Sequence, residues 1–527
     1  MTTDSWIKVV AMLLYFAGMI AVGVWATRRT KNIDDYMLGG RNLPPAVAAL
    51  SAGASDMSGW LLMGLPGAVY MGGLVQAWIA IGLTIGAWVN WKIVAPRLRI
   101  YTEVAGNSIT IPSFLDNRFA EGGKLLRVVA GLVILLFFTF YVSSGMVAGG
   151  QFMVSAFGDF VSSVGIFGSG PNAGYHFGML LVALVTIIYT FFGGFLGASY
   201  TDFFQGTLMF LALLLVPIIA LFLAGGPAQV AASVNEVQPG ALNLFDMQAA
   251  GGLLVVIGLF AWGLGYFGQP HIIVRFMALR SMKDAVAGRR IGIGWMALCV
   301  AGAIGSAIVG ISYIGQNDAL SVTDQENGET VFLDMAQQLF PSVIAGLVLA
   351  AVLAAIMSTI SSQLVVSSSA LVEDLAKILL GDTRRLGQRV QLWMSRGGVG
   401  LVSIVAIILA WNPDSSILDL VGFAWAGFGA AFGSVVILAL FWRGFSGWGA
   451  LAAMVSGAVT VVVWNLTGLG SSIVYEILPG FAVSMILGVV VSLAAPPSDE
   501  RVTREFTEML RLLRSEVKNE EPADASS

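Results

Sequence analysis

Apolar residues along this chain come in long blocks separated by short polar stretches. A membrane-crossing helix needs about 20 predominantly apolar residues. Roughly thirteen blocks meet that length: near 6–27, then 45–71, 74–96, 127–156, 175–193, 196–223, 250–275, 290–314, 341–371, 389–411, 416–442, 446–466 and 472–495. Two of the blocks are interrupted. The second contains Ser51-Ala52-Gly53-Ala54-Ser55-Asp56-Met57-Ser58-Gly59-Trp60, a carboxylate, three hydroxyls and two glycines inside an apolar run. Lipid cannot hydrogen-bond a loosened backbone, so such a stretch must line a protein cavity or pack as a polar kink against neighbouring helices. Five spans later comes Trp262-Gly263-Leu264-Gly265-Tyr266-Phe267-Gly268-Gln269-Pro270-His271, where three glycines and a proline oppose a regular helix. Broken helices at matching places in two halves are how inverted-repeat transporters build a site. A small-residue packing seam explains the glycines but not the Trp, Tyr, Gln and Pro among them.

Composition agrees with a polytopic membrane protein. The 527 residues are 57% hydrophobic and 11% charged, against about 25% charged in soluble chains, and mean hydropathy is +0.84. A net charge of −4 gives no sign of nucleic-acid binding. The single cysteine, Cys299, rules out a disulfide framework, and His176 and His271 have no zinc spacing. No nucleotide-binding loop, nucleophile elbow or kinase signature occurs, so no enzyme is expected. The run from Trp6 to Ala26 lacks a basic lead and a cleavage site and reads as a retained helix.

Lys and Arg fall on alternate loops. They are Arg28, Arg29, Lys31 and Arg41; Arg97, Arg99, Arg118 and Lys124; Arg275, Arg280, Lys283, Arg289 and Arg290; Lys377, Arg384, Arg385 and Arg389; Arg443; and the C-terminal tail. With thirteen spans these share one side, with Lys8 at the extreme N-terminus as the clear exception, which places the N-terminus outside and the C-terminus in the cytoplasm. The expected organisation is one transmembrane domain over 1–495, with repeats near 45–223 and 250–442, and a cytoplasmic tail over 496–527. In the tail, Val502, Phe506, Met509, Leu510 and Leu513 predict a short amphipathic helix.

Three further groups carry candidate chemistry. Trp262 and Tyr266, four apart, share a face of any helix that continues through them, and Tyr141 offers another aromatic wall. The run Ala354 to Gln363 holds Ser358, Thr359, Ser361 and Ser362, hydroxyls suited to a hard cation such as sodium, with the Ala355 carbonyl beside them. Such hydroxyls also bond back to the preceding helical turn. Asp202 lies in a span, and no Lys or Arg falls mid-span. Its expected partners are therefore hydroxyls, a proton or a cation.

These segments resemble the sodium/solute symporter family, over about residues 5 to 495. The resemblance rests on Asp34-Asp35-Tyr36 with Leu38 to Arg41, Leu50 to Ala68, Trp262 to His271, Leu353 to Thr359 and Ala424 to Gly433. It implies an all-α leucine-transporter-type five-plus-five inverted repeat with an extra leading helix. It also implies sodium-driven symport of L-proline through the cytoplasmic membrane by alternating access. Sodium ligation is implied for the backbone oxygens of Ala54, Met57 and Ala355 and the hydroxyls of Ser358 and Thr359, with Asp56 supporting it. Ser58, Trp60, Tyr141, Trp262, Tyr266 and Pro270 are implied at the solute site, and Arg41 in coupling. Asp202 with Ser361 and Ser362 is implied as a second sodium site or a step on the release path. Sodium is the coupling ion and no other cofactor is expected. The expected partners are L-proline, sodium and membrane lipid, with no obligatory protein partner. Another small amino acid, a monocarboxylate or pantothenate on the same fold, and a solute sensor without transport, stand as alternatives.

Overall fold

Within hydrocarbon, a chain satisfies its amides and carbonyls only by pairing them internally, and the long apolar runs accordingly close into helices. The computed structural model describes residues 3–27, 38, 43–119, 122–164, 172–246, 251–315, 322–324, 326–376, 388–412, 416–469, 474–497 and 499–518. Arg41 and the last nine residues of the tail lie outside the described residues. Among those described, eleven helices are long and apolar enough to span a membrane, and a bent pair makes a twelfth.

In chain order the principal helices are α1 (Ser5–Ala26), the two halves α2 (Pro45–Asp56) and α3 (Leu65–Gly72), α4 (Leu74–Val104), the side helix α5 (Ile111–Arg118), α6 (Gly123–Gly158), α7 (Ala173–Phe192) and α8 (Gly194–Leu223), after which a short connecting helix covers Pro227–Val237. The second half begins with the bent pair α9 (Leu253–Ala261) and α10 (Pro270–Met277), followed by α11 (Met282–Gly315), the short α12 (Val331–Leu339), α13 (Ser342–Ser369), α14 (Val390–Leu409) and α15 (Ile417–Phe441). Then come α16 (Gly447–Leu466), α17 (Ile477–Ala494) and the tail helix α18 (Glu500–Lys518). The thirteen segments expected from the sequence are reached when α2–α3 and α9–α10 each count as one broken span. Neither half of α2–α3 is long enough alone, because the polar stretch divides it.

The core is inverted relative to a soluble protein. Leu211, Leu215, Ile218 and Phe222 of α8 face outward, while Ser51, Asp56, Asp202, Arg275, Ser358 and Ser362 are buried. Gly194, at φ 57° and ψ −156°, breaks α7 from α8 in a conformation that only glycine adopts without strain. α4 meets the second broken span along Gly82 and Gly86. A Cβ at either position would run into the backbone at Phe260 or Gly263, so only glycine permits this approach.

On the side of the molecule away from α18, the loop before α12 is tied down by its carboxylates. Asp324 accepts from the amides of Asn327 at 3.2 Å and Glu329 at 3.3 Å. Glu329 accepts from the first amides of α15, Ile417 at 3.0 Å and Leu418 at 3.0 Å, and from the Ser416 hydroxyl at 3.1 Å. A carboxylate at a helix N-terminus meets orphan donors and the positive end of the dipole. Gly67 of α3 presses on the same loop, where an added Cβ would lie 2.8 Å from the Asn327 carbonyl.

Burial pushes the Glu329 carboxyl up from its usual 4.5 to about 7, against the downward pull of its amide and hydroxyl donors. The folded chain thus holds this proton more tightly than the unfolded chain does. Its contribution to stability is full below about 4.5 and is lost as pH rises through about 7. Thermal unfolding in detergent should show a melting temperature that declines between these values more steeply for the parent than for Glu329→Gln. Parallel profiles would remove Glu329 from the pH response.

Candidate functional site

The first break forms because the amides after Met57 abandon the α-helical pattern. The Met57 amide still reaches the Gly53 carbonyl at 2.8 Å, but Ser58 turns to Asp56 at 2.9 Å and Leu61 to Ser58 at 3.1 Å. Met57 sits at φ −80° and ψ 74°, outside the helical region, and the chain resumes as a π turn over Trp60–Gly64. The amide of Ser58 is therefore lost to the Ala54 carbonyl. A hydroxyl from another helix takes its place: Ser358 of α13 donates to that oxygen at 2.7 Å. The Ala355 carbonyl lies 3.0 Å from the same hydroxyl, and Thr359 Oγ1 stands 3.5 Å from the Ala54 oxygen and 3.4 Å from the Ala355 oxygen. Four of the five ligands expected for sodium thus converge between α2 and α13. Two carbonyls and two hydroxyls, all neutral and hard, suit a small monovalent cation.

Asp56 closes the C-terminal end of α2, where three aromatic side chains converge on it. Tyr266 donates its hydroxyl to Oδ2, Trp60 donates its indole N–H to the Asp56 carbonyl at 2.9 Å, and the Tyr141 hydroxyl reaches the same carbonyl at 3.5 Å. Ser58 Oγ accepts from the Trp60 amide at 3.3 Å. Beside the carboxylate is a cavity of about 20 Å³ lined by Ala52, Gly53, Asp56, Trp91, Tyr266 and Met296, room for roughly one water molecule.

The second break departs from the sequence expectation in one respect. Trp262–Gly268 is a 3-10 helix, followed by α10 with Pro270 at its first turn, and the two halves bend by 44°. Residues four apart in a 3-10 helix point about 120° away from each other rather than down one face. Trp262 and Tyr266 consequently do not form a shared wall. Tyr266 turns to Asp56, while Trp262 stacks on Tyr475 with centroids 5.0 Å apart and planes 17° apart. Pro270 lies farther toward the α18 side, lining a small cavity with Ile134, Val274 and Val366.

A further correction concerns Asp202. The expectation that it has no basic partner fails, because Arg275 sits inside α10 and not in the following loop. Its guanidinium is buried and lies 3.2 Å from Asp202 Oδ2. Ser51 Oγ donates to the same carboxylate oxygen at 2.7 Å and Ser362 Oγ lies 3.4 Å away. Arg275 also donates to Ser51 Oγ at 3.1 Å, to Ser362 Oγ at 2.6 Å and to the His271 carbonyl. This network ties α2, α8, α10 and α13 together. Ser361 is turned away, bonding the Ser358 carbonyl of its own helix at 3.0 Å. The sequence places Arg275 in the following loop because the apolar run around it, HIIVRFM, has its only charge near one end, close to the span boundary. Asn90 has no signal beyond its own type in an apolar run, and Trp425 falls in the resembling segment Ala424 to Gly433 with no role of its own assigned there.

A broken helix in each half, five spans apart, with the first facing a hydroxyl-rich helix, is the build of a secondary transporter of the leucine-transporter inverted-repeat type. The chain belongs to the sodium:solute symporter family, whose model matches residues 36–457. It is 51% identical to the high-affinity proline transporter PutP of Bacillus subtilis over 93% of this chain and 98% of that one. It is 47% identical to the sodium/proline symporter of Escherichia coli over 95% of each. Among solved structures, a Na+-coupled sialic acid symporter in a substrate-bound outward-open state matches with a TM-score of 0.75 at 20% identity, over 94% of this chain and 98% of that one. The nucleobase-cation-symport transporter Mhp1 matches at 0.53 and 13% identity, over 90% and 98%.

Removing one member of a buried ion pair strands the other and typically costs about 3–5 kcal/mol. Asp202→Ala should therefore lower the thermal midpoint markedly, and Arg275→Met added to it should recover much of the loss. A double variant as unstable as the single one would show that the charge pair is not what binds the four helices.

Proposed function

We propose that this chain is a sodium-driven symporter that brings L-proline inward across the cytoplasmic membrane by alternating access. The observation that carries the reading is the convergence of Ala54 and Ala355 carbonyls with Ser358 and Thr359 hydroxyls between a broken helix and α13. The choice of solute follows the relatives named for proline, since the two matched folds are named for other solutes. The transmembrane domain over 1–495 carries the whole activity, with α18 in the cytoplasm and the N-terminus outside.

On sodium binding the Ser358 and Thr359 hydroxyls turn their hydrogens away from the Ala54 and Ala355 carbonyls and present their oxygens to the ion. In the proposed site the Ala54, Met57 and Ala355 carbonyls and the Ser358 and Thr359 hydroxyls all point oxygen at the ion. Such an ion bridges α2 and α13 and fixes the first break in one geometry. The Asp56 carboxylate adds long-range attraction without contacting the ion. Proline then binds beside that break. Its carboxylate meets amides freed near Ser58, as anions do at helix termini. Its ring lies among Trp60, Tyr141 and Tyr266. Trp262, stacked on Tyr475, closes the outer side, and Pro270 marks the inner exit. Sodium and proline raise each other's affinity because both are bound by one break, and such coupling is reciprocal. Asp202, held by Arg275, Ser51 and Ser362, belongs to the inner closure, and sodium leaving past Ser362 meets that carboxylate.

In proteoliposomes, an inward sodium gradient should drive accumulation of labelled proline, and dissipating the gradient should abolish it. Ser358→Ala with Thr359→Ala should raise the sodium concentration for half-maximal uptake before it lowers the maximal rate. Uptake indifferent to sodium, or a double variant with the parental sodium dependence, would refute the reading. Competition by unlabelled amino acids and carboxylates against labelled proline decides among solutes.

A further inference from the structure

The 3-10 break pairs its carbonyls with i+3 amides in poorer geometry than a regular helix would, and side chains of α4 and α15, with that of Gln269 at the end of the break, reach them. Trp425, buried in α15, donates its indole N–H to the Trp262 carbonyl at 2.7 Å. Gln269 Nε2 lies 3.2 Å from the Gly265 carbonyl and 3.1 Å from the carbonyl of Trp425 itself. Asn90 of α4 donates to the Tyr266 carbonyl at 2.9 Å. Trp425 therefore touches both the first residue of the break, through its side chain, and the residue that ends it, through its backbone. Its ring meets the Tyr266 ring edge-on, with centroids 5.1 Å apart and planes at 86°. Gly265 lies flat against the indole, where any Cβ would strike the Nε1 atom.

We propose that Trp425 is a positioning residue of the solute site, holding both ends of the 3-10 break so that the Tyr266 hydroxyl is delivered to the Asp56 carboxylate. A 3-10 helix has poorer hydrogen-bond geometry than an α-helix and persists in short pieces when something else fixes it. In hydrocarbon the alternative for the Trp262 carbonyl is to rejoin an α-helical ladder. Rewinding by that route rotates Tyr266 by tens of degrees, away from Asp56. The indole N–H thus selects the wound state of the break, and the flat ring sets the direction of the Tyr266 side chain.

The inference rests on the proline-symport reading only for the choice of solute. Uptake by the parent tests that reading alone, and the variants are compared with whichever small amino acid or carboxylate the parent accumulates. Trp425→Phe keeps an aromatic ring and removes the N–H. The solute concentration for half-maximal uptake should rise roughly tenfold, the factor that 1.4 kcal/mol of binding represents, with the maximal rate changed far less. Benzothienylalanine at position 425, which replaces only the N–H by sulfur, should do the same and serves where phenylalanine impairs folding. Tyr266→Phe should raise the same concentration, and combining it with Trp425→Phe should add little, because the two act on one contact. A merely structural role would lower the amount of protein in the membrane and the maximal rate together. Parental half-saturation in the benzothienylalanine protein, or effects at 425 and 266 that multiply in full, would overturn the proposal.

Discussion

The governing constraint is that a backbone carbonyl freed inside a membrane must find a donor. Two helices in this molecule are opened, and four contacts from side chains answer the openings. Ala54 is answered by Ser358, Trp262 by Trp425, Gly265 by Gln269 and Tyr266 by Asn90. Each answer comes from beyond the local helical ladder, and three of the four come from a different helix. The openings therefore do double duty. They expose the polar groups of the proposed ion and solute sites, and they lash together the helices that carry them.

The two openings differ in how they are held. In the first, the replacement donors are hydroxyls, which can turn from donor to acceptor when a cation arrives. In the second, they are an indole and two amides. The indole is donor only, and both amides engage the break through their NH2 groups. The first break can exchange partners at little cost, while the second resists change. A joint of turnable hydroxyls beside a stiff, aromatic one lets the proposed ion act as the switch, with the second break as the fixed surface it closes against.

Much of this was legible in the amino-acid order, because polar residues in apolar blocks have few explanations. Asp56 amid hydroxyls and glycines marked the first break, and Gly, Pro and Trp marked the second. Ser358 and Thr359 stand where the sequence suggested, on the helix facing the first break. What could not be read was rotation and depth. The turn from 3.6 to 3 residues per turn at Trp262 separates two side chains that a helical wheel would join. The inclusion of Arg275 in α10 depends on a boundary placed a few residues later than an apolar count suggests, and it changes Asp202 from an unpaired carboxylate into half of a network. Pattern fixes which residues are inside; the pitch of one short segment fixes what they meet.

Where α4 crosses the second break, the contact is made by Gly82, Gly86 and Gly263, backbone against backbone. Surfaces that interlock through side chains must lift over one another to move, and each passage requires rotamers to change. This one has no teeth. Displacement along it meets little friction, so it behaves as a plain bearing between two bodies. Among the described residues the Asn90 side chain seated on the Tyr266 carbonyl is a pin across this bearing, and the Trp78 ring set edge-on against Phe260 is a stop at one end of it.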